Sequence, residues 1–280
     1  MLAKTTSLEI DGVTQKSNKS KKILLCIIDI LKYYLKSIKM LCQLNISDKF
    51  RSLNFDERRK KISFIIYHYT ETDNLDEAIK LLTCKKRRVS CHFVIDTNGD
   101  VYNLVDVNKR AWHAGESIWK RSNDINSRSI GIEIVYPGEK TKSKYSDSQI
   151  LSIVKLTNIL KKKFKISNKN ILGHSDIAPN RKIDPGVFFP WKKLSKESIG
   201  TWVDHISDNE KLNQKEYQSF LKNLKRIGYS QVELNQRKFM GINKRIIENF
   251  HRHHLPELLQ YTPNKSSLTK SIALVNLNSN

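Results

Sequence analysis

Ser129-Ile130-Gly131-Ile132-Glu133-Ile134-Val135-Tyr136 is an apolar run broken by one carboxylate and stopped by Pro137-Gly138. Its length and β-branched content read as a buried strand. A lone acid among Ile130, Ile132, Ile134 and Val135 is costly to bury unless something pairs with it. Function therefore explains Glu133 better than structure does. Towards the N-terminus, Phe64-Ile65-Ile66-Tyr67 is a second short apolar run, and it ends at His68. Leu75, Ala78, Ile79 and Leu82 then fall at helical spacing. Cys91 to Asp96 and Val101 to Val105 flank Thr97-Asn98-Gly99-Asp100, and Asn-Gly between two β-rich runs is a strong hairpin signal. Towards the C-terminus, Ser146 and Gln149 form a capping box that opens a helix running to about Phe164. Asn170 to His174 reads as a further strand. Ser175 to Pro190 reads as a long loop stiffened by Pro179, Pro185 and Pro190, and long rigid loops in compact domains are usually functional. The order strand, helix, hairpin, strand, helix predicts an α/β fold with a central mixed sheet flanked by helices.

Around this body the signals change. Residues 1–21 are polar and read as disordered. Ile23 to Leu31 is apolar except for Asp29 and follows Lys19, Lys21 and Lys22, which is the order of a signal peptide. The run is short, however, and no small-x-small cleavage site follows. It also falls below the ~20 residues a membrane span needs. A basic amphipathic helix over residues 22–41, in peripheral contact with a membrane or packed on the body, fits equally well. Leu212 to Leu255 reads as helices with a turn at Gly228-Tyr229. The resulting division is an N-terminal segment 1–50, a domain 51–204, a small C-terminal helical bundle 205–262 and a loose tail 263–280.

In 280 residues, 39% hydrophobic and 28% charged, the composition is that of a globular chain. Fifty Lys and Arg against 28 Asp and Glu give +22, which favours an anionic partner or surface such as nucleic acid, acidic headgroups or the bacterial envelope. No helix-turn-helix, RNP-type or zinc-finger pattern supports nucleic acid. Cys26, Cys42, Cys84 and Cys91 are too few and scattered for a disulfide framework, although Cys84 and Cys91 could bridge a helix end to a strand start.

Histidine placement carries the chemistry. His68 and His174 each end a strand, so neighbouring strands could present both at one edge of the sheet. A catalytic zinc site needs three protein ligands and an open position, and Asp184 on the stiffened loop is the natural third. Lys182 and Asp184, two apart in an extended segment, point to one side, placing an ammonium beside the metal. Taken singly, a histidine at a strand end is more often structural.

The string His174-Ser175-Asp176-Ile177-Ala178-Pro179-Asn180-Arg181-Lys182-Ile183-Asp184-Pro185-Gly186 resembles the signature of the type 2 N-acetylmuramoyl-L-alanine amidases. That family includes the AmpD and AmiD enzymes, phage T7 lysozyme and the peptidoglycan recognition proteins. Tyr67-His68-Tyr69-Thr70, Ser90-Cys91-His92-Phe93, Ala111-Trp112-His113-Ala114-Gly115, Ser129-Ile130-Gly131-Ile132-Glu133 and Phe189-Pro190-Trp191 agree in the family's order. The resemblance spans about residues 61–204 and is nearest the AmiD branch. It implies Zn2+ held by His68, His174 and Asp184, with Glu133 as the catalytic carboxylate and Lys182 stabilising the oxyanion. It implies a peptidoglycan or muropeptide substrate and a place in the cell envelope or periplasm, with cytoplasmic recycling as the alternative. Trp112 and His113 would contact sugar or peptide in the cleft, or else fill core and shape a loop. Arg181 would grip stem-peptide carboxylates, and His92 is expected to pack near the site. The segment from Tyr217 to Arg252 is similar to a divergent three-helix peptidoglycan-binding domain, in which His251, His253 and His254 read as a solvated helix end. A non-catalytic peptidoglycan-recognition protein is the rival reading, usually marked by a missing zinc ligand, and here all three are present.

Overall fold

Three short apolar runs supply the centre of the molecule because each is too short for a buried helix and rich in β-branched side chains. In a computed structural model, described here for residues 44–234, 241–259 and 261–279, these runs become β3 (Phe64–Tyr69), β9 (Ser129–Ile134) and β10 (Ile171–Gly173). With β1 (Ile46–Ser47), β4 (Phe93–Ile95) and β5 (Val101–Asn103) they form a six-stranded sheet in the order β1-β5-β4-β9-β3-β10. Two small antiparallel ribbons, β2 (Phe55–Glu57) with β6 (Lys109–Ala111) and β7 (Ile118–Trp119) with β8 (Ser122–Asn123), lie outside this sheet. β4 and β5 form the antiparallel hairpin expected around Asn98-Gly99, while β4, β9, β3 and β10 run parallel. The sheet is therefore mixed, as the sequence predicts.

Register decides which side chains share a face. β3 pairs with β9 so that Ile66 lies beside Gly131 and His68 beside Glu133. β10 pairs with β3 so that Leu172 lies beside Ile66. Because side chains alternate, Phe64, Ile66, His68, Gly131, Glu133 and Leu172 point to one side. Tyr67 points to the other, where its hydroxyl meets Thr157 Oγ1 at 2.5 Å. Thr157 belongs to helix α3 (Asp147–Phe164), which opens with the predicted capping box of Ser146 and Gln149. Helix α1 (Leu75–Thr83) is capped by the Asn74 side chain. The remaining helices of the body are short: α2 (Ile125–Arg128), α4 (His174–Ile177) and α5 (Trp191–Lys196). β10 stops one residue before His174, which opens α4, so the loop after it starts with a helical turn.

Helices α6 (Gln214–Ile227), α7 (Gly241–His254) and α8 (Lys265–Ser279) complete the chain. Their apolar residues Phe220, Leu224, Ile246 and Phe250 share one core with Phe64, Ile66 and Leu172 of the sheet. Residues 45–280 accordingly form one unit.

Two expectations need correction, and the pairing left open for Cys84 and Cys91 is answered. The segment 263–280 is no loose tail but contains α8, whose Lys270 is buried with its ammonium 3.9 Å over the Trp202 ring. Its Ser- and Asn-rich sequence hides the helix because polar hydrogen bonds help to seat it, as Asn223 Nδ2 does on Ser271 Oγ at 3.1 Å. His251, His253 and His254 are buried rather than solvated, packed against aromatic rings and Asp176. Cys84 and Cys91 are free thiols. Cys26, Cys42 and the apolar or amphipathic segment 22–41 lie outside the described residues. Among the described residues no helix is long and apolar enough to cross a membrane.

Candidate active site

The common face of β3 and β9, extended by the end of β10, brings together residues far apart in the chain. His68 Nδ1 lies 3.0 Å from His174 Nδ1 across 106 residues of sequence. Asp184 Oδ2 completes the triangle at 3.0 Å from His68 Nδ1 and 3.1 Å from His174 Nδ1. All three residues are buried, and among the described residues theirs is the grouping of His, Cys, Asp and Glu able to hold a metal ion.

The outer hydrogen bonds fix which atoms face the triangle. His174 Nε2 lies 3.1 Å from the Ala114 carbonyl, so Nε2–H donates there and the Nδ1 lone pair faces inward. His68 Nε2 lies 3.0 Å from His113 Nδ1, and His113 Nε2 lies 3.0 Å from Ser129 Oγ. Ser129 Oγ in turn donates to the Ile125 carbonyl at 2.6 Å. Read in one direction, each donor finds an acceptor, and the His68 Nδ1 lone pair is also left facing inward. Burial and the neighbouring His174 push His68 down to about 4, so its ring is neutral at pH 7. Burial alone would raise Asp184, but the two imidazoles outweigh it and hold the carboxyl well below the usual carboxylate range. Two imidazole nitrogens and a carboxylate oxygen thus face one another at 3.0–3.1 Å. The arrangement calls for a shared cation, a proton or a metal ion, and a set of N, N and O donors fits zinc.

Glu133 lines the same cavity of about 480 Å³, together with Trp112, His113, Arg181 and Lys182. Its Oε2 is buried without a hydrogen-bond partner in the protein. Burial, then the nearby Asp184 charge, raise the Glu133 carboxyl well above its ordinary value, while Lys182 works against them. The structure thus brings Glu133 and Lys182 into one cleft with the three candidate ligands. Trp112 is half-buried at the cleft wall, with Nε1 donating to Asp56 Oδ2 at 2.7 Å and the Arg88 guanidinium 5.6 Å from its ring centre. Arg181 donates from Nη2 to the carbonyls of Ala114, at 3.2 Å, and Glu116. His92 is buried and accepts from Gly131 N–H at 2.9 Å, a packing role beside the site. His113 faces the cleft but is chiefly engaged with His68, a contact that sequence alone does not suggest. The signal for it is Gly131, because a Cβ there would sit 2.4 Å from the His113 ring.

A mixed sheet presenting a buried His, His, Asp triangle able to hold a metal ion, in one cleft with a glutamate that has an unpartnered oxygen, has the parts of a hydrolytic active site. Comparison with known proteins narrows this. Residues 58–187 match the family described as N-acetylmuramoyl-L-alanine amidase. The N-acetylmuramoyl-L-alanine amidase AmiD of Escherichia coli K12 is 30% identical over 233 residues, covering 76% of this chain and 81% of AmiD. The 1,6-anhydro-N-acetylmuramyl-L-alanine amidase AmpD of Haemophilus influenzae is 42% identical over 107 residues, which is 38% of this chain and 56% of AmpD. The solved complex of E. coli AmiD with anhydro-N-acetylmuramic acid-L-Ala-D-γ-Glu-L-Lys superimposes with a TM-score of 0.68 at 27% identity, covering 80% of this chain and 98% of that one. The chain belongs to the N-acetylmuramoyl-L-alanine amidase family and is an enzyme of that class.

Proposed function

We propose that this chain is a zinc-dependent N-acetylmuramoyl-L-alanine amidase that hydrolyses the bond between N-acetylmuramic acid and L-alanine in muropeptides or peptidoglycan. One observation carries the metal: three buried ligand atoms of His68, His174 and Asp184 converge at 3.0–3.1 Å in the cleft that also holds the unpartnered Oε2 of Glu133. Zinc, when bound, supplies Lewis acidity and lowers the pKa of a coordinated water to roughly 7.

The chain's own groups do the rest. Glu133 takes the proton from the attacking water and returns it to the departing L-alanine amine. Its raised pKa suits both halves of that transfer, since a carboxylate of ordinary acidity is a weak base near neutrality. Lys182 offers its ammonium to the negative charge that develops on the amide oxygen. Trp112 and Arg181 line the cleft where sugar and stem peptide would lie. His113 keeps the His68 ring in one tautomer and orientation rather than touching substrate. The amide bond breaks once, one water is consumed, and the products are a free muramic carboxylate and a peptide with an L-alanine amino terminus.

The net charge of +22 supports a place in the cell envelope, among anionic polymer. Digestion of a soluble muropeptide, read by mass spectrometry before and after chelation, tests the assignment. Release of L-alanine-started peptides, abolished by chelator and restored by zinc, is the expected result. Bound zinc without cleavage would point to a recognition protein instead, and cleavage indifferent to chelation would remove the metal.

A further inference from the structure

The loop that carries Lys182 and Asp184 does not stand on its own prolines alone. Asp176, two residues beyond His174, is buried. Its Oδ2 accepts from the Gly173 N–H at 2.8 Å and so closes the first turn of α4, the turn that begins at His174. The other partners of this carboxylate come from the C-terminal helices. Tyr229, which follows α6, donates its hydroxyl to Asp176 Oδ1 at 2.6 Å. His253 of α7 contributes Nδ1 to Asp176 Oδ2 at 2.8 Å, with its ring stacked on Trp191 at 3.9 Å and 17°.

The same face of α7 continues along the loop. Asn249 Nδ2 donates to the carbonyls of Pro179 at 2.9 Å and Lys182 at 3.1 Å. The Asn249 amide is itself turned by Arg252, whose Nη1 donates to Asn249 Oδ1 at 2.6 Å. Arg252 Nε also reaches Glu139 Oε1 at 2.6 Å, and that oxygen accepts the Val187 N–H at 2.7 Å. Arg245 Nη1 donates to the Asn180 carbonyl at 2.9 Å. Residues 245, 249, 252 and 253 recur at the spacing of one helical face. Thus Asp176, Pro179, Asn180, Lys182 and Val187 each meet a polar group directed, at first or second hand, by α7.

We propose that Tyr229, Asn249 and His253 are positioning residues of the active site, through which α6 and α7 hold His174, Lys182 and Asp184 in register for metal binding and catalysis. On this account the C-terminal helices complete the catalytic centre, whatever else they bind. The proposal rests on the reading that His68, His174 and Asp184 hold zinc. Direct hydrogen-bond partners of metal ligands are worth roughly 10–100-fold in metal affinity or activity, and these residues, which act one bond further out, belong at the lower end of that range.

The test uses the full-length chain and four substitutions. Tyr229→Phe removes only a hydroxyl, Asn249→Leu removes both carbonyl donors, and His253→Leu removes the imidazole donor. His253→Asn keeps a donor near Nδ1. Zinc affinity is read by competition with a chromogenic chelator, and kcat and KM on a soluble muropeptide are read well below each variant's melting temperature. Tyr229→Phe, Asn249→Leu and His253→Leu are expected to bind zinc roughly tenfold or more weaker and to lose kcat at nearly unchanged KM. His253→Asn is expected to recover most of both. Lys225→Ala, on the exposed side of α6, should match the parent. Lower melting temperatures with zinc affinity and kcat unchanged would overturn the proposal. Failure of the unsubstituted chain to bind zinc would instead overturn the metal reading on which it rests.

Discussion

Glu133 is the residue to which we assign the proton transfers, and its situation is unusual for a carboxylate. It lies in the central strand with one oxygen unpartnered, and burial with the Asp184 charge makes it reluctant to ionise. Glu133→Gln preserves shape and removes the proton acceptor. The variant is expected to retain bound zinc, measured by elemental analysis, and to lose roughly 10²–10⁴-fold in kcat, the usual worth of general acid–base catalysis. His174→Ala is expected to lose zinc and activity together, because His68 and Asp184 alone are a poor ligand set. At this scale the sequence was legible as to which side chains meet. His68, His174, Asp184, Glu133 and Lys182 each sit in a short local string, and all five line one cleft. The tautomer chain from His68 through His113 and Ser129 was not legible, since it joins residues whose proximity exists only after β3 and β9 have paired.

Among the elements, β9 shows how a strand makes room for a site. Gly131 faces the same side as Glu133 and is the gap into which the His113 ring fits. Gly131→Ala places a methyl where that ring stands, and overpacking of this kind costs about 1–3 kcal/mol. The expected result is a melting temperature lower by several degrees, with weaker zinc binding in the same variant by chelator competition. The start of α3 offers a second case. Ser146 Oγ accepts from Gln149 N–H at 3.1 Å and donates to the Thr97 carbonyl at 2.7 Å, so one side chain caps the helix and ties down the β4–β5 turn. Ser146→Ala is expected to lower the urea unfolding free energy by about 1–2 kcal/mol. The capping box, hairpin and strands were readable because their signals repeat over a few residues. α8 was not, because serine and asparagine are weak helix formers and its stability comes from packing on α6.

For the molecule as a whole, buried neutral histidines make stability depend on pH. Burial holds His251 at about 4 in the folded chain, against about 6.5 when unfolded. Between those values the unfolded chain takes up the proton and the folded chain does not. Its contribution to stability is therefore complete above about pH 6.5 and is lost as the pH falls towards 4. Urea midpoints measured across that window should fall with pH. His251→Gln, which keeps a donor for Ser267, should flatten the slope. Metal acts at the same scale. Zinc that binds only the folded chain stabilises it by about 2.7 kcal/mol at a hundred times its dissociation constant. Scanning calorimetry should therefore show a lower melting temperature after chelation, and His68→Ala should abolish the difference. That the C-terminal helices share one hydrophobic core with the sheet was hidden from the sequence, where their polar face looks like solvent-exposed surface.

The wide separation of the ligands also has a consequence for synthesis of the chain on the ribosome. His68 emerges early, while its partners His174 and Asp184 follow 106 and 116 residues later. Until they appear, and until the helices that share the core with Phe64, Ile66 and Leu172 have been made, a nascent chain displays a bare apolar sheet face and no pocket for metal. A growing polypeptide cannot assemble the ligand triangle before Asp184 has been translated.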